Sequence, residues 1–260
     1  MKRRSSLLTG SVASSVSCPI STKVRKVEID HDSEPGDLPC DTEAGLLYLK
    51  ALFPVEKFDR HFPAIVMKHQ VYSIVHDKTT VDREMITLRD SRKVRFFKLG
   101  VATDEVGVVF TDDYVARVKH VMGDTPLCRK FVGTVLTDCT DVSISREHLI
   151  STLHLSQEEI TAVVNHGVLV MRDVGSWWFA IPGISAFVKS FTKGRTLLLQ
   201  AIKRSKFREV LQKNLMGRHW SGCRLGIEYH IHDIIGAEFV QCIETTSGPL
   251  LKLSEDARAS

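Results

Sequence analysis

The sequence lacks several features that would assign a function directly. It has no run of eighteen apolar residues, so no transmembrane helix is predicted. Its six cysteines are scattered, and no two of them have Cys-x-x-Cys spacing. This spacing predicts reduced thiols in an intracellular protein rather than a disulfide framework or a zinc ribbon. The Gly-x-Ser-x-Gly motif is also missing, which excludes the nucleophile elbow of a hydrolase.

The first 41 residues have too few large apolar side chains to form a core. They are rich in Ser and carry short basic clusters at residues 2–4 and 23–26, so we expect a disordered tail. A signal peptide is not predicted because no compact apolar segment follows the basic start. The absence of acids from residues 1–27 leaves a mitochondrial presequence open. The basic clusters are also typical of nuclear localisation or polyanion contact.

Positive charge is concentrated in residues 189–218. Nine basic residues and the single acid Glu209 give this stretch a charge of +8, whereas the whole chain of 260 residues carries +4. The basic residues are Lys189, Lys193, Arg195, Lys203, Arg204, Lys206, Arg208, Lys213 and Arg218. Such a surface is either simply solvated or meets a polyanion, and this concentration with one acid favours nucleic acid or an acidic partner.

This basic stretch is predicted to be one helix that ends at Gly217. Between Gly194 and Gly217 there is no Gly or Pro, and Leu, Gln, Ala, Lys and Arg are good helix formers. At about 100° per residue, Arg195, Lys206 and Lys213 fall on one side, with Lys203 roughly 60–80° further round. A broad apolar side would contain Leu197, Leu198, Ala201, Leu211 and Leu215.

A helix followed by a β-hairpin occurs three times along the chain. The helices are expected to start near residues 80, 157 and 237, which are steps of the size of a winged-helix domain. The second is the clearest, because Ser156 and Glu159 fit a capping box and strands at 168–172 and 177–181 follow. We therefore predict an α+β protein with three tandem winged-helix domains, at residues 42–122, 123–192 and 193–255, after the disordered tail at 1–41.

Several uncommon strings occur in order over about residues 43–253. They are His-Gln-Val-Tyr-Ser-Ile-Val at 69–75, Gly-Val-Val-Phe-Thr-Asp-Asp-Tyr at 107–114, Val-Met-Arg-Asp-Val-Gly-Ser-Trp-Trp at 170–178, Tyr-His-Ile-His-Asp-Ile-Ile-Gly at 229–236 and Cys-Ile-Glu-Thr-Thr-Ser-Gly at 242–248. In these strings the chain resembles the serine/threonine-protein kinase 19 family. Relatives can carry a denser basic run at the N-terminus than this chain has.

The resemblance implies a nuclear, non-catalytic, DNA-binding protein rather than a kinase. It implies tandem winged helices that act in transcription-coupled nucleotide-excision repair. The partners it implies are stalled RNA polymerase II, the Cockayne-syndrome ubiquitin-ligase module and transcription factor IIH. By the same resemblance, Lys189, Lys203, Lys206 and Arg218 occupy DNA-binding basic positions.

The residues themselves argue against phosphoryl transfer and against a metal site. The chain has no Gly-x-Gly-x-x-Gly, no His-Arg-Asp and no Asp-Phe-Gly, and the nearest imitation, residues 173–175, falls in a predicted hairpin turn. His230, His232 and Asp233 match no standard zinc spacing. We expect no cofactor and no enzymatic activity.

The sequence thus predicts sequence-independent binding of double-stranded DNA through the basic stretch. The expected nucleic-acid-binding residues are Lys189, Lys193, Arg195, Lys203, Arg204, Lys206, Lys213 and Arg218. An adaptor that binds only proteins remains the alternative, with an atypical kinase a distant third. Preference for DNA over RNA, and whether the chain forms a homodimer, are left open by the sequence.

Overall fold

The computed structural model describes residues 39–100 and 105–254. Within this part the chain is α+β, with three small antiparallel sheets of three strands each. In each, a helix precedes the first strand, and helical segments lie between the first and second strands. The predicted disordered tail and both of its basic clusters lie outside the described residues, apart from the last three tail positions. None of the helices described is both long enough and apolar enough to cross a membrane.

The first unit extends from residue 41 to residue 110. Its elements are α1 (Asp41–Leu52), β1 (Val66–Met67), α2 (Lys68–Val71), α3 (Lys78–Asp90), β2 (Val94–Lys98) and β3 (Val106–Phe110). The sheet order is β1-β3-β2. The sequence predicts strands at 94–99 and 107–110 that pair as a hairpin, and this hairpin is confirmed. The apolar segment at residues 63–75 is predicted from the sequence to be a helix. This prediction is wrong, because buried Val66 pairs with Val108 as a strand and leaves only the short α2.

The helix α4 (Thr111–Met122) leads into the second unit. That unit contains α5 (Pro126–Lys130), a π-helical turn at Phe131–Val135, α6 (Leu136–Asp138), β4 (Ser143–Ser145), a second π-helical turn at His148–Thr152, α7 (Gln157–Asn165), β5 (Leu169–Asp173) and β6 (Ser176–Phe179). Its sheet order is β4-β6-β5. The capping box is confirmed, since Ser156 Oγ accepts from the Glu159 amide at 3.1 Å while the Glu159 carboxylate accepts from the Ser156 amide at 2.8 Å.

The third unit extends from residue 185 to residue 253. It contains α8 (Ser185–Lys203), a 3₁₀ turn at Lys206–Arg208, β7 (Glu209–Leu211), α9 (Gln212–Met216), α10 (Ile227–Gly236), β8 (Val240–Ile243) and β9 (Leu250–Leu253). The sheet order is β7-β9-β8, so all three sheets place their first strand beside the third. The expected third helix start near residue 237 is wrong: the helix before the hairpin is α10, and residues 240–243 pair with β9 as a strand.

One hydrophobic cluster contains residues of all three units, and the first and third units each have a further cluster of their own. Two aromatic side chains of the first unit, Phe53 and Phe62, pack on Phe187 and Tyr229 of the third, with ring centroids 5.8–6.2 Å apart. The buried core of the second unit is continuous with this cluster. The shared core holds the basic face of α8 at a fixed place relative to the other units.

Candidate nucleic-acid interface

Helix α8 has two opposite faces that differ in burial and in charge. At about 100° per residue, Lys189, Lys193 and Lys203 lie within roughly 80° of one another, and all three are exposed. The opposite face is buried and contains Phe187, Ser190, Phe191, Gly194, Leu198 and Ile202. Because packing uses the apolar side completely, the basic side is left to solvent or to a ligand.

The predicted single helix over the whole basic stretch is wrong, because α8 ends at Lys203. The hydroxyl of Ser205 bonds to the Ile202 carbonyl at 2.6 Å and lies 2.9 Å from the Glu209 carbonyl, which fixes a turn. After this turn the chain continues as a strand, in which the buried Val210 pairs with Leu251 of β9. Lys206 and Lys213 therefore do not continue the helical surface of α8, and the predicted Arg195–Lys206–Lys213 side does not exist.

Arg195 is the one predicted contact residue that faces inward. Its side chain is only 15% exposed, and its guanidinium forms a bidentate pair with the Asp233 carboxylate at 2.7 and 2.8 Å. Its Nη1 also donates to Glu105 at 2.5 Å. Burial acts to lower the pKa of Arg195, but its hydrogen bonds and charge pairing with Asp233 and Glu105 outweigh this and raise it. We therefore remove Arg195 from the candidate interface.

The other seven predicted residues are exposed. They are Lys189, Lys193, Lys203, Arg204, Lys206, Lys213 and Arg218. Over residues 39–100 and 105–254, no carboxylate lies within salt-bridge distance of any of the seven. By contrast, Lys50, Lys68 and Lys130 elsewhere on the surface each pair with an acid at 2.6–2.8 Å. The positive charge of the third unit is thus available to an anionic ligand.

A cavity brings together two of these residues that are fourteen positions apart in sequence. It has a volume of about 390 Å³ and lies between the end of α8, strand β7 and the loop after α9. Arg204 and Arg218 line it together with His219 and Trp220. Two arginines on the lining of one open concave surface can provide guanidinium donors, which suit phosphate oxygens. The exposed Lys189, Lys193 and Lys203 are called the α8 stripe below. We take this cavity, the α8 stripe and Lys213 as the candidate interface.

The sequence prediction missed Phe207, which lies at the tip of the turn after α8. Its side chain is 70% exposed, and the Lys206 ammonium lies 4.9 Å from its ring centroid. The alternation of basic residues with this aromatic in Arg204–Arg208 was the signal available, because base-binding surfaces combine the two. It was hidden by the assumption that the segment was helical. His219 and Trp220 were also missed, because they lie just beyond the basic stretch and only the folded chain places them beside Arg204.

Helix α10 precedes the third hairpin and is buried against the first unit. The buried carboxylate of Asp233 accepts from His69 at 2.7 Å, and Ser73 Oγ lies 2.7 Å from His232 Nδ1. Gly236 approaches the His69 carbonyl so closely that a Cβ would lie 1.8 Å from it. This helix cannot enter a DNA groove in this arrangement. Among the described residues, no group of three His, Cys, Asp or Glu side chains is placed to hold a metal ion.

Successive side chains of a strand point to opposite faces, so the sequence predicts that one of the two adjacent tryptophans packs in the core. The two rings do lie on opposite sides of β6. Trp177 is buried in the core, and Trp178 is half-buried with the Arg172 guanidinium 4.4 Å from its ring. The predicted packing of one ring is confirmed.

Comparison with known proteins identifies the family of the chain. Residues 40–253 match the family model described as inactive serine-threonine protein kinase 19. The chain belongs to this family. It is 42% identical over 221 residues to winged helix repair factor 1 of Homo sapiens, covering 84% of this chain and 87% of that protein. Identity to winged helix repair factor 1 is 40% over 223 residues in Xenopus laevis, covering 84% and 86%, and 22% over 272 residues in Dictyostelium discoideum, covering 86% and 68%.

The family resemblance predicted from short strings is therefore confirmed over most of the chain. The family is described as inactive, and the three relatives compared above are named for repair rather than for phosphoryl transfer. The nearest imitation of a kinase metal-binding motif, residues 173–175, consists of the last residue of β5 and the two-residue turn before β6. Val174 in this turn is fully exposed, and its neighbour Asp173 lies beside Arg172 at 3.3 Å.

Proposed function

We propose that the chain is a non-catalytic DNA-binding scaffold of transcription-coupled nucleotide-excision repair. The observation that carries the DNA-binding part is the unpaired basic face of the third unit, formed by α8 and the Arg204–Arg218 cavity. The names of the relatives support a role in repair. The description of the family as inactive supports a function without catalysis.

We further propose that each unit is a winged-helix domain. In each, a helix, a first strand, one or two helices and a hairpin follow in order, and the first strand pairs beside the third. The predicted boundary between residues 192 and 193 falls inside α8, so the third domain in this proposal starts near residue 185. The first domain keeps the range 42–122. The second, predicted at 123–192, is shortened so that it ends before α8.

The binding mechanism is phosphate neutralisation. From Lys189 to Lys203 the α8 stripe is about 21 Å long at 1.5 Å per residue, which is comparable to about six phosphates of one strand. Each Lys or Arg that meets a phosphate releases counterions, so affinity falls steeply with salt. Since the helix before the third hairpin is buried, base readout by that helix is not available, and sequence preference should be weak.

In the cell, this proposal places the chain in the nucleus, bridging DNA and a repair assembly. The proposed protein partners are stalled RNA polymerase II, the Cockayne-syndrome ubiquitin-ligase module and transcription factor IIH. The proposal of these partners is supported by the family membership of the chain. The basic face would hold the DNA while the other units remain free to contact proteins.

The decisive experiment is binding of a fluorescent duplex across a salt series. We expect Lys193→Glu/Lys203→Glu to lower affinity at least tenfold and to reduce the slope of log K against log salt by about 2, since each phosphate contact contributes about 0.9. The matched control is Lys57→Glu/Lys119→Glu, which changes net charge equally at exposed positions on other elements. Equal losses in both variants would show that net charge alone acts, and wild type that does not bind duplex would refute DNA binding.

A protein-only adaptor is the second candidate. It is favoured by the hairpin of the second unit, where Val170, Met171 and Val174 are exposed on the edge strand β5 and its turn. Exposed apolar side chains at an unpaired strand edge are typical of protein contact sites. This reading becomes the leading one if the salt series shows no duplex binding.

A further inference from the structure

The turn after α8 has an unusual combination of exposure, charge and backbone conformation. Phe207 adopts φ 63° and ψ 7°, and the next residue Arg208 has φ 57°. Both lie in the left-handed region, which is unfavourable for residues with a Cβ and most unfavourable for bulky ones. The turn nevertheless places a phenylalanine at the surface, where it is 70% exposed. Strain and exposure together indicate that the side chain is presented for contact.

The turn is held in place rather than left free. The Ser205 hydroxyl bridges toward the carbonyls of Ile202 and Glu209, and the Arg208 amide donates to the Ser205 carbonyl at 3.1 Å. The strand that follows is paired in the sheet through Val210. Since hydrogen bonds fix the backbone on both sides of Phe207, the turn holds the ring in one position at the surface. A pre-positioned ring loses less conformational entropy on binding than a mobile one.

The charge around the ring selects the chemistry of the ligand. The sequence neighbours of Phe207 include four basic residues that are all exposed, namely Lys203, Arg204, Lys206 and Arg208. The Lys206 ammonium covers one side of the ring at 4.9 Å, which leaves the other side open to a flat group. A flat aromatic group joined to negative charge is a nucleotide. In a duplex the faces of the bases are hidden by stacking, so an open ring face fits an unpaired base.

We propose that Phe207 stacks on an unpaired base of DNA while the surrounding basic residues hold the adjacent phosphates. This inference rests on the proposed function and deepens it. It assigns the third unit a preference for places where duplex gives way to single strand. The α8 stripe would follow the duplex backbone, and Phe207, lying beyond the C-terminal end of α8, would meet the first unpaired nucleotides.

The test compares a duplex with the same duplex carrying a central bubble of about six mismatched pairs. We expect wild type to prefer the bubble, and Phe207→Ala to lose about tenfold in bubble affinity, which is within the range for loss of one stacked base. Duplex affinity and the salt slope should stay unchanged, because no phosphate contact is removed. Phe207→Trp should retain the preference, whereas Phe207→Leu, which keeps apolar area without a ring, should lose it.

A 2-aminopurine placed in the bubble provides a readout that electrostatics alone would not move. Stacking should quench its fluorescence with wild type and Phe207→Trp, and not with Phe207→Leu. The matched control is Ile243→Ala, another exposed apolar residue of the third unit, which should behave as wild type. If Phe207→Ala binds the bubble as wild type does, the inference fails while duplex binding stands. If wild type binds neither DNA, the proposed function fails and this inference with it.

Discussion

At the scale of single residues, the most informative group is His232 in helix α10. Its imidazole is buried, and because the Ser73 hydroxyl donates to the Gln70 carbonyl at 2.6 Å, Ser73 Oγ accepts from His232 Nδ1 at 2.7 Å. Burial lowers the pKa of His232 to about 4, since a charged imidazolium would lose its hydration. The native state therefore holds this side chain neutral where the unfolded chain would protonate it.

This gives a prediction for stability against pH. The unfolded chain takes up a proton near pH 6.5 and the folded chain only near pH 4, so the free energy of unfolding should fall as pH drops through that window. The size is on the order of 2–3 kcal/mol. Chemical denaturation of wild type and His232→Gln between pH 4.5 and 7.5 checks it. A variant whose stability falls as steeply as that of wild type would assign the pH dependence to other groups.

At the scale of elements, the contact between α8 and α10 depends on one glycine. A Cβ on Gly194 would lie 2.0 Å from His230 Nε2, so only glycine lets these two helices approach as they do. In an isolated helix alanine would be the better residue by about 1 kcal/mol, and here the tertiary contact decides instead. This explains why Gly194 occurs inside α8 without breaking it.

We expect Gly194→Ala to destabilise the protein by roughly 1–3 kcal/mol, because the added methyl overpacks a filled contact. Combining it with His230→Ala should restore part of that loss, since the smaller side chain removes the clash. A double-mutant cycle measured by denaturant unfolding provides the coupling. Strict additivity of the two changes would mean that the glycine acts through the backbone alone.

The elements also show how far sequence reasoning could reach. The hairpins at 94–110 and 169–179 and the capping box of α7 were predictable, because their signals are local. The end of α8 was not, since residues 204–211 have helical propensity and only the pairing of Val210 with Leu251, forty-one positions away, places residues 209–211 in a strand. For the same reason the exposed basic residues were predictable as a set, whereas the inward Arg195 required its distant partners Asp233 and Glu105 to be known.

At the scale of the whole molecule, the units are joined by contacts that are both apolar and ionic. Arg95 of the first unit is buried and donates to the Leu136 and Cys139 carbonyls of the second, and its guanidinium lies 5.3 Å from the Phe179 ring. Asp233 of the third unit joins Arg195 to His69 of the first. Removing one partner of such a buried charge leaves the other uncompensated, which is strongly destabilising. The units should therefore unfold together rather than one at a time.

The burial of α10 against the first unit has a consequence for the kinetics of association. A protein whose DNA-binding face is held by a fixed neighbour needs no rearrangement before it docks. Encounter with DNA should then be a single step, accelerated by the uncompensated charge of α8 and slowed by salt. Stopped-flow mixing with labelled duplex should give one exponential phase whose rate rises linearly with DNA concentration. A rate that saturates at high DNA concentration would reveal a slow opening between the units, and the fixed arrangement would be wrong.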